Sequence, residues 1–98
     1  MHIDDSNTEE GAGIWTGWRI YDGDIIATES VDSDLPRLRV HSNLVVDGYL
    51  YMRGNLHVGG NLDVSSNLVM GGRLIVRGRL IVRGYIYAGG YIYVSTSK

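Results

Sequence analysis

Apolar and polar residues alternate along this 98-residue chain in a six-residue period that repeats ten times, without insertion, from Leu38 to Ser97. The first position of every hexad is Leu or Ile, the third is Val, Met or Ala, and the fifth is Gly, Ser or Thr. Successive side chains of a strand point to opposite sides, so positions one, three and five are predicted to face inward. The pattern predicts an all-β fold, a triangular β-helix in which each hexad forms one side and its fifth residue occupies a corner.

Two arrangements of chains satisfy this period. One chain can wind alone with a turn every eighteen residues, or three identical chains can intertwine, each supplying one side of every rung. Among the outward positions, residues six apart are identical in seven of 27 comparisons, whereas residues eighteen apart are identical in two of 21. Because like side chains stack well on neighbouring rungs, the count favours the homotrimer. Tandem duplication of a coding unit also enriches identities at spacing six, so both arrangements stay open.

Residues 1–37 do not show the hexad and are predicted to form a separate attachment region. Residues 1–13 are polar and acidic and indicate a flexible arm. Two apolar runs, 14–21 and 24–30, flank the turn-forming pair Asp22–Gly23 and predict a β-hairpin. Residues 31–37 then form a linker within the 14–37 unit, and 38–98 form the shaft. A lone hairpin is marginally stable, so its aromatic face needs a partner. The residues expected to make that contact are Ile14, Trp15, Trp18, Ile20 and Tyr21.

The charge of the chain is divided between its two parts. Residues 1–37 hold two basic and nine acidic side chains, a net −7, and residues 38–98 hold seven basic and two acidic ones, a net +5. Such asymmetry indicates segments that face different surroundings. The bases include a basic belt formed by Arg73, Arg77, Arg79 and Arg83. This belt either contacts a polyanion or an acidic neighbour, or is a solvated face that keeps rods apart.

Four tyrosines gather near the C-terminal end, the expected distal tip of the shaft: Tyr85, Tyr87, Tyr91 and Tyr93. Tyrosine offers a large contact area with little loss of side-chain entropy, which suits contact with a sugar or a protein. The alternative is a set of cross-rung aromatic ladders that stiffen the end.

The sequence offers no pattern of catalytic chemistry. There is no cysteine, and the histidines His2, His41 and His57 are neither clustered nor placed among carboxylates, so all three are predicted to be solvated surface residues and no metal site is expected. No nucleophile–base set, phosphate loop or cofactor fingerprint occurs, which predicts a protein that is not an enzyme and carries no cofactor. No apolar run reaches about 18 residues, so no membrane span is expected. A nucleic-acid partner is not expected either.

The stretch MRGNLHVGGNLDV, within residues 38–97, resembles the trimeric β-helical shafts of bacteriophage spikes, fibres and capsid decoration proteins. This resemblance implies a virion structural protein, a homotrimer held on a capsid or tail protein by its N-terminal segment. The same hexad is also similar to bactofilins, bacterial cytoskeletal proteins whose single-chain triangular β-helix polymerises end to end. That second resemblance implies a cytoskeletal scaffold instead.

Overall fold

In the computed structural model, which describes residues 1–95, the chain winds into a parallel β-solenoid of about four turns. Two short 3₁₀ helices, Asp5–Asn7 and Gly13–Trp15, lie near the N-terminus. Within the described residues the strands are β1 His2–Ile3, β2 Glu9–Glu10, β3 Arg19–Tyr21, β4 Ile25–Ala27, β5 Val31–Ser33, β6 Arg37–Val40, β7 Leu44–Val46, β8 Leu50–Met52, β9 Asn55–Val58, β10 Leu62–Val64, β11 Leu68–Met70, β12 Leu74–Val76, β13 Leu80–Val82, β14 Ile86–Ala88 and β15 Ile92–Val94.

Successive strands of the repeat enter three different sheets in rotation. Sheet I has the order β1-β5-β8-β11-β14, sheet II has β13-β10-β7-β4, and sheet III has β15-β12-β9-β6-β3-β2. From Leu38 onward each strand pairs in parallel with the strand eighteen residues later, as in the column Leu44, Leu62 and Leu80. The predicted all-β helix is therefore confirmed, and within this chain the rungs are stacked at the single-chain spacing of eighteen.

The inward positions of the hexad build the core. First-position and third-position side chains from Leu38 to Val76 are almost completely buried, and they stack as columns of Leu, Val and Met. Burying one such side chain contributes about 1.5–3 kcal/mol. Outward positions such as Val45 and Asp63 stay partly accessible, as the alternation predicts.

Close approach of the turn below explains most corner glycines. Among the described residues of the repeat, a backbone with positive φ occurs only at Gly48, where φ is 146°. At Gly78 the backbone is not in that region, but an added Cβ would collide with Oδ1 of Asn61 and lie 2.8 Å from the carbonyl oxygen of Gly60. That Asn61 oxygen accepts a hydrogen bond of 2.8 Å from the backbone N–H of Arg79, one turn later. The corners thus pair an asparagine with a glycine seventeen residues further on: 43 with 60, 55 with 72, 61 with 78 and 67 with 84.

The hairpin and linker predicted for residues 14–37 have a different pairing in the structure. β3 and β4 lie in different sheets and do not pair with each other, because each lies in parallel beside a strand of the repeat, β6 and β7 respectively. β5, inside the predicted linker, pairs in parallel with β8. These strands form the first turn of the solenoid with a spacing of nineteen instead of eighteen, which hides the period in the sequence.

Residues 1–13, predicted as a flexible arm, lie across the N-terminal end of the solenoid. β1 adds to sheet I beside β5, where Ile3 is fully buried, and β2 adds antiparallel to β3. Arg19 fastens the segment: its guanidinium donates to the Thr8 carbonyl oxygen at 2.7 Å and to the Thr8 hydroxyl at 3.0 Å, and it lies 3.3 Å from the Asp5 carboxylate. Val31 of β5, which lies beneath β1, is completely buried.

Candidate functional site

Two of the predicted attachment residues, Trp15 and Trp18, form a cluster on the outer face of sheet III. Their rings meet edge to face with centroids 5.4 Å apart. Trp15 lies 4.9 Å from the ring of His57, and the guanidinium carbon of Arg39 lies 4.4 Å from the Trp15 ring centroid. Arg39 and His57 are neighbours in the outward column of sheet III, so the indole rings cover two adjacent rungs. A cationic side chain over an indole is a stabilising contact.

His57 is consequently buried, 7% exposed, and the prediction that it is a solvated surface histidine is wrong. Burial beneath the indole rings lowers its pKa below the ordinary value of 6.5, and the positive charges of Arg39 and Arg77 lower it further. Its Nδ1 atom and Nε of Arg39 are buried without a hydrogen-bond partner among the described residues. The error has a physical cause: strand parity assigns a side chain to the outer face but does not show that another segment folds over that face.

The remaining predicted attachment residues are placed differently from one another. Ile14 is 90% exposed beside the tryptophans. Ile20 takes the outward position of β3 next to Arg39, and Tyr21 takes an inward position where it packs partly against the core. The structure thus brings Ile14, Trp15 and Trp18 to one surface, while Tyr21 contributes to the end of the core.

The basic belt is distributed around one turn and does not form a single face. Arg73 and Arg77 flank β12, whereas Arg79 and Arg83 flank β13, and all four are exposed. The guanidinium of Arg73 lies 5.5 Å from the ring centroid of Tyr91 and donates to its hydroxyl at 3.3 Å. These cations therefore lie along two successive sides of the solenoid, in sheets III and II.

The four C-terminal tyrosines divide between two sheets. Tyr85 immediately precedes β14 of sheet I, and Tyr87 lies on that strand. Tyr91 immediately precedes β15 of sheet III, and Tyr93 lies on that strand. Tyr87 stands next to Val69, and Tyr93 stands next to Ile75. Each is more than half exposed, and within this chain the two pairs lie on different sheets and do not form one aromatic ladder.

The last turn of the solenoid differs from the others in the exposure of its inward side chains. Leu74 and Val76, one turn below, are completely buried, whereas Ile86 is 43% and Ile92 is 40% exposed. β13, β14 and β15 are edge strands of their sheets, so among residues 1–95 no strand lies beyond them. Their backbone groups and apolar side chains form an uncovered end, which we call the open end.

A second surface that sequence reasoning missed is a groove on the outer face of sheet I. It has a volume of about 530 Å³ and is lined by Asp32, Tyr49, Tyr51, Asn67, Val69 and Tyr85. We call it the tyrosine groove. Only Tyr85 was singled out in the sequence, because the other residues come together through the eighteen- and nineteen-residue spacings between rungs. The comparison of outward residues at spacing eighteen counted only identities, whereas the same spacing aligns Tyr49 with Asn67 and Tyr85.

The described part of the chain holds neither a side-chain cluster for a metal ion nor a helix suited to cross a membrane. Among residues 1–95, no three His, Asp or Glu side chains come together in a group that could hold a metal ion. None of the helices that the structure describes has the length and apolar character needed to cross a membrane. No protein-family model, curated protein or solved structure matches this chain.

Proposed function

We propose that this protein is a non-enzymatic structural protein that assembles with copies of itself through the open end of its solenoid. The observation that supports this is the contrast between the two ends. Residues 1–13 cover part of the N-terminal end, where Val31 is completely buried, while Ile86 and Ile92 of the last turn are 43% and 40% exposed. Exposed edge strands with apolar side chains tend to pair with another chain. In this proposal each sheet is one side of a triangular cross-section.

A second copy meets the open end most simply by presenting the same end. Two solenoids that face each other in this way wind in opposite senses when viewed from one side, so their last strands run antiparallel. Because the three strands make up one turn of a steadily rising chain, β14 lies one third of a turn beyond β13, and β15 lies one third of a turn beyond β14. A twofold axis through β14 therefore pairs β14 with its own copy and β13 with β15 of the other copy, without a gap. The contact buries Ile86 and Ile92 of both copies.

Such a twofold contact closes at a dimer, so a longer scaffold needs a second contact at the other end. At that end β4 is the terminal strand of sheet II, so its outer edge is one place where a second copy could pair. Contacts at both ends would give a filament, the architecture implied by the resemblance to bactofilins. The same axis passes through the corner between sheets II and III, where Arg79 of one copy faces Arg79 of the other, so the dimer is expected to strengthen as salt screens their repulsion.

A second candidate function is a homotrimeric decoration protein or short spike on a virion. It is supported by the excess of identities at spacing six over spacing eighteen. In this proposal three chains exchange sides of the rungs, and the surface with Ile14, Trp15 and Trp18 contacts a capsid or tail protein. The exposed tyrosines then point away from the particle.

Light scattering on the purified protein distinguishes the two candidates. A mass of two chains, each of 10.8 kDa, or a filament visible by electron microscopy, supports the open-end contact. A mass of three chains supports the virion spike, and a monomer at every concentration contradicts both. Ile86→Lys with Ile92→Lys should return the dimer to a monomer. The control Val45→Lys, on the outer face of sheet II far from the open end, should leave the mass unchanged.

A further inference from the structure

The tyrosine groove presents aromatic rings on both sides of a small floor. Tyr51 of β8 and Val69 of β11, neighbours in the outward column of sheet I, form this floor. Tyr49 and Tyr85 precede β8 and β14, two rungs apart, and Asn67 lies on the rung between them. Two strand spacings are about 9.6 Å, so a ring placed midway lies about 5 Å from each wall, within the range of stacking contacts.

Polar groups of the groove are placed to exchange hydrogen bonds with a ligand. Asn67 accepts a 3.0 Å hydrogen bond from the backbone N–H of Tyr85 through Oδ1, which leaves its amide NH₂ as a donor. Asp32, beyond Tyr51, lies 2.7 Å from Nδ1 of His2 through one carboxylate oxygen, and its other oxygen remains an acceptor. The tyrosine hydroxyls can both donate and accept.

The charges of the groove exclude an anionic ligand. Among residues 1–95, no Lys or Arg lines it, and the one charged lining residue is Asp32, whose carboxylate His2 already partners. From Asp32 on β5 to Tyr85 beside β14 the groove spans three strand spacings, about 14 Å. It is therefore elongated, aromatic at its sides and uncharged over most of its length.

In the part of the chain that the structure describes, the outer faces of the other two sheets do not have a comparable binding groove. On sheet III the tryptophans cover Arg39 and His57. The groove on sheet II has a volume of only about 230 Å³, with charges of both signs from Asp24, Asp63 and Arg79. Binding pockets for small ligands are usually 300–1,000 Å³, a range that the tyrosine groove meets.

We propose that the tyrosine groove binds a neutral oligosaccharide. The apolar faces of one sugar ring stack between the tyrosine rings, while hydroxyls of this and the next ring bond to the Asn67 amide and the Asp32 carboxylate. The groove opens on the side of the solenoid, and of its lining residues only Tyr85 adjoins β14 at the open end.

Titrations of the full chain, followed by amide NMR shifts, test the proposal with maltotriose, cellotriose and chitotriose as probes. At least one trisaccharide should shift the signals of Tyr51, Asn67 and Val69. Tyr49→Ala should weaken its binding about tenfold, the effect of losing one stacking contact. The matched control Tyr93→Ala removes a tyrosine of similar exposure, 54% against 51% for Tyr49, from sheet III and should leave binding unchanged.

A second variant, Val69→Trp, fills the floor of the groove and should abolish binding while the circular dichroism spectrum stays that of the wild type. Choline is included as a cationic probe, because tyrosines beside a carboxylate also suit a quaternary ammonium ion. Tighter binding of choline than of every sugar overturns the proposal, as does the absence of any sugar-induced shift. Equal loss of binding in Tyr49→Ala and Tyr93→Ala overturns it too.

Discussion

Replacing Gly78 by alanine tests whether close approach between turns, and not backbone flexibility, explains the corner glycines. The new Cβ would collide with Oδ1 of Asn61 and lie 2.9 Å from the carbonyl carbon of Gly60. Forcing a carbon into such a space costs about 1–3 kcal/mol. Moving Asn61 aside also breaks its hydrogen bond to the N–H of Arg79, which is worth about 1 kcal/mol. The expected loss of unfolding free energy is about 2–4 kcal/mol.

Urea denaturation of Gly78→Ala, Asn61→Ala and the double variant measures this coupling. Asn61→Ala alone should cost about 1 kcal/mol, because only the hydrogen bond is lost. The double variant should cost less than the two single changes together, by about 1 kcal/mol, because alanine at 61 removes the obstructing oxygen. Strict additivity, or a Gly78→Ala protein as stable as the wild type, would refute the steric explanation.

Further predictions concern the core and the two histidines, His2 and His57, whose pKa values are shifted. Leu62→Ala removes a fully buried side chain and should lower the unfolding free energy by about 2.7–5 kcal/mol, measured by urea denaturation. Trp15→Ala should expose His57 and raise its pKa toward 6.5 in an NMR titration. In the intact protein the neutral form of His57 is favoured, so its contribution to stability is complete above pH 6.5 and is lost as the pH falls below it. The hydrogen bond to Asp32 raises the pKa of His2, so its contribution is complete below pH 6.5 and is lost as the pH rises through the folded-state pKa.

Distinct outcomes would contradict each of these expectations. A Leu62→Ala loss below 1 kcal/mol would mean that the column collapses around the missing side chain. A pKa of His57 that stays unchanged in Trp15→Ala would show that the indole ring does not control its hydration. Asp32→Asn should remove the rise in the His2 pKa, and a value that stays high would assign the rise to another group.

Alternation within the hexads determined most of the fold. Whether a residue faces inward or outward depends only on strand parity, a local property, so the buried columns from Leu38 to Val76 could be predicted without a structure. The same parity placed Tyr51 and Val69 on the outer surface. It did not bring them together, because their contact depends on which strand lies one turn away.

The tertiary structure decided the features that depend on long-range contacts. The first turn was hidden in the sequence because its spacing to the next turn is nineteen, and because Arg19 and Tyr21 stand where the repeat has Leu and Val. His57 is buried only because a segment some forty residues earlier folds over it. Local periodicity therefore specified a solenoid and its core, whereas the covered N-terminal end, the open end and the tyrosine groove arise from contacts between distant residues, which strand parity cannot encode.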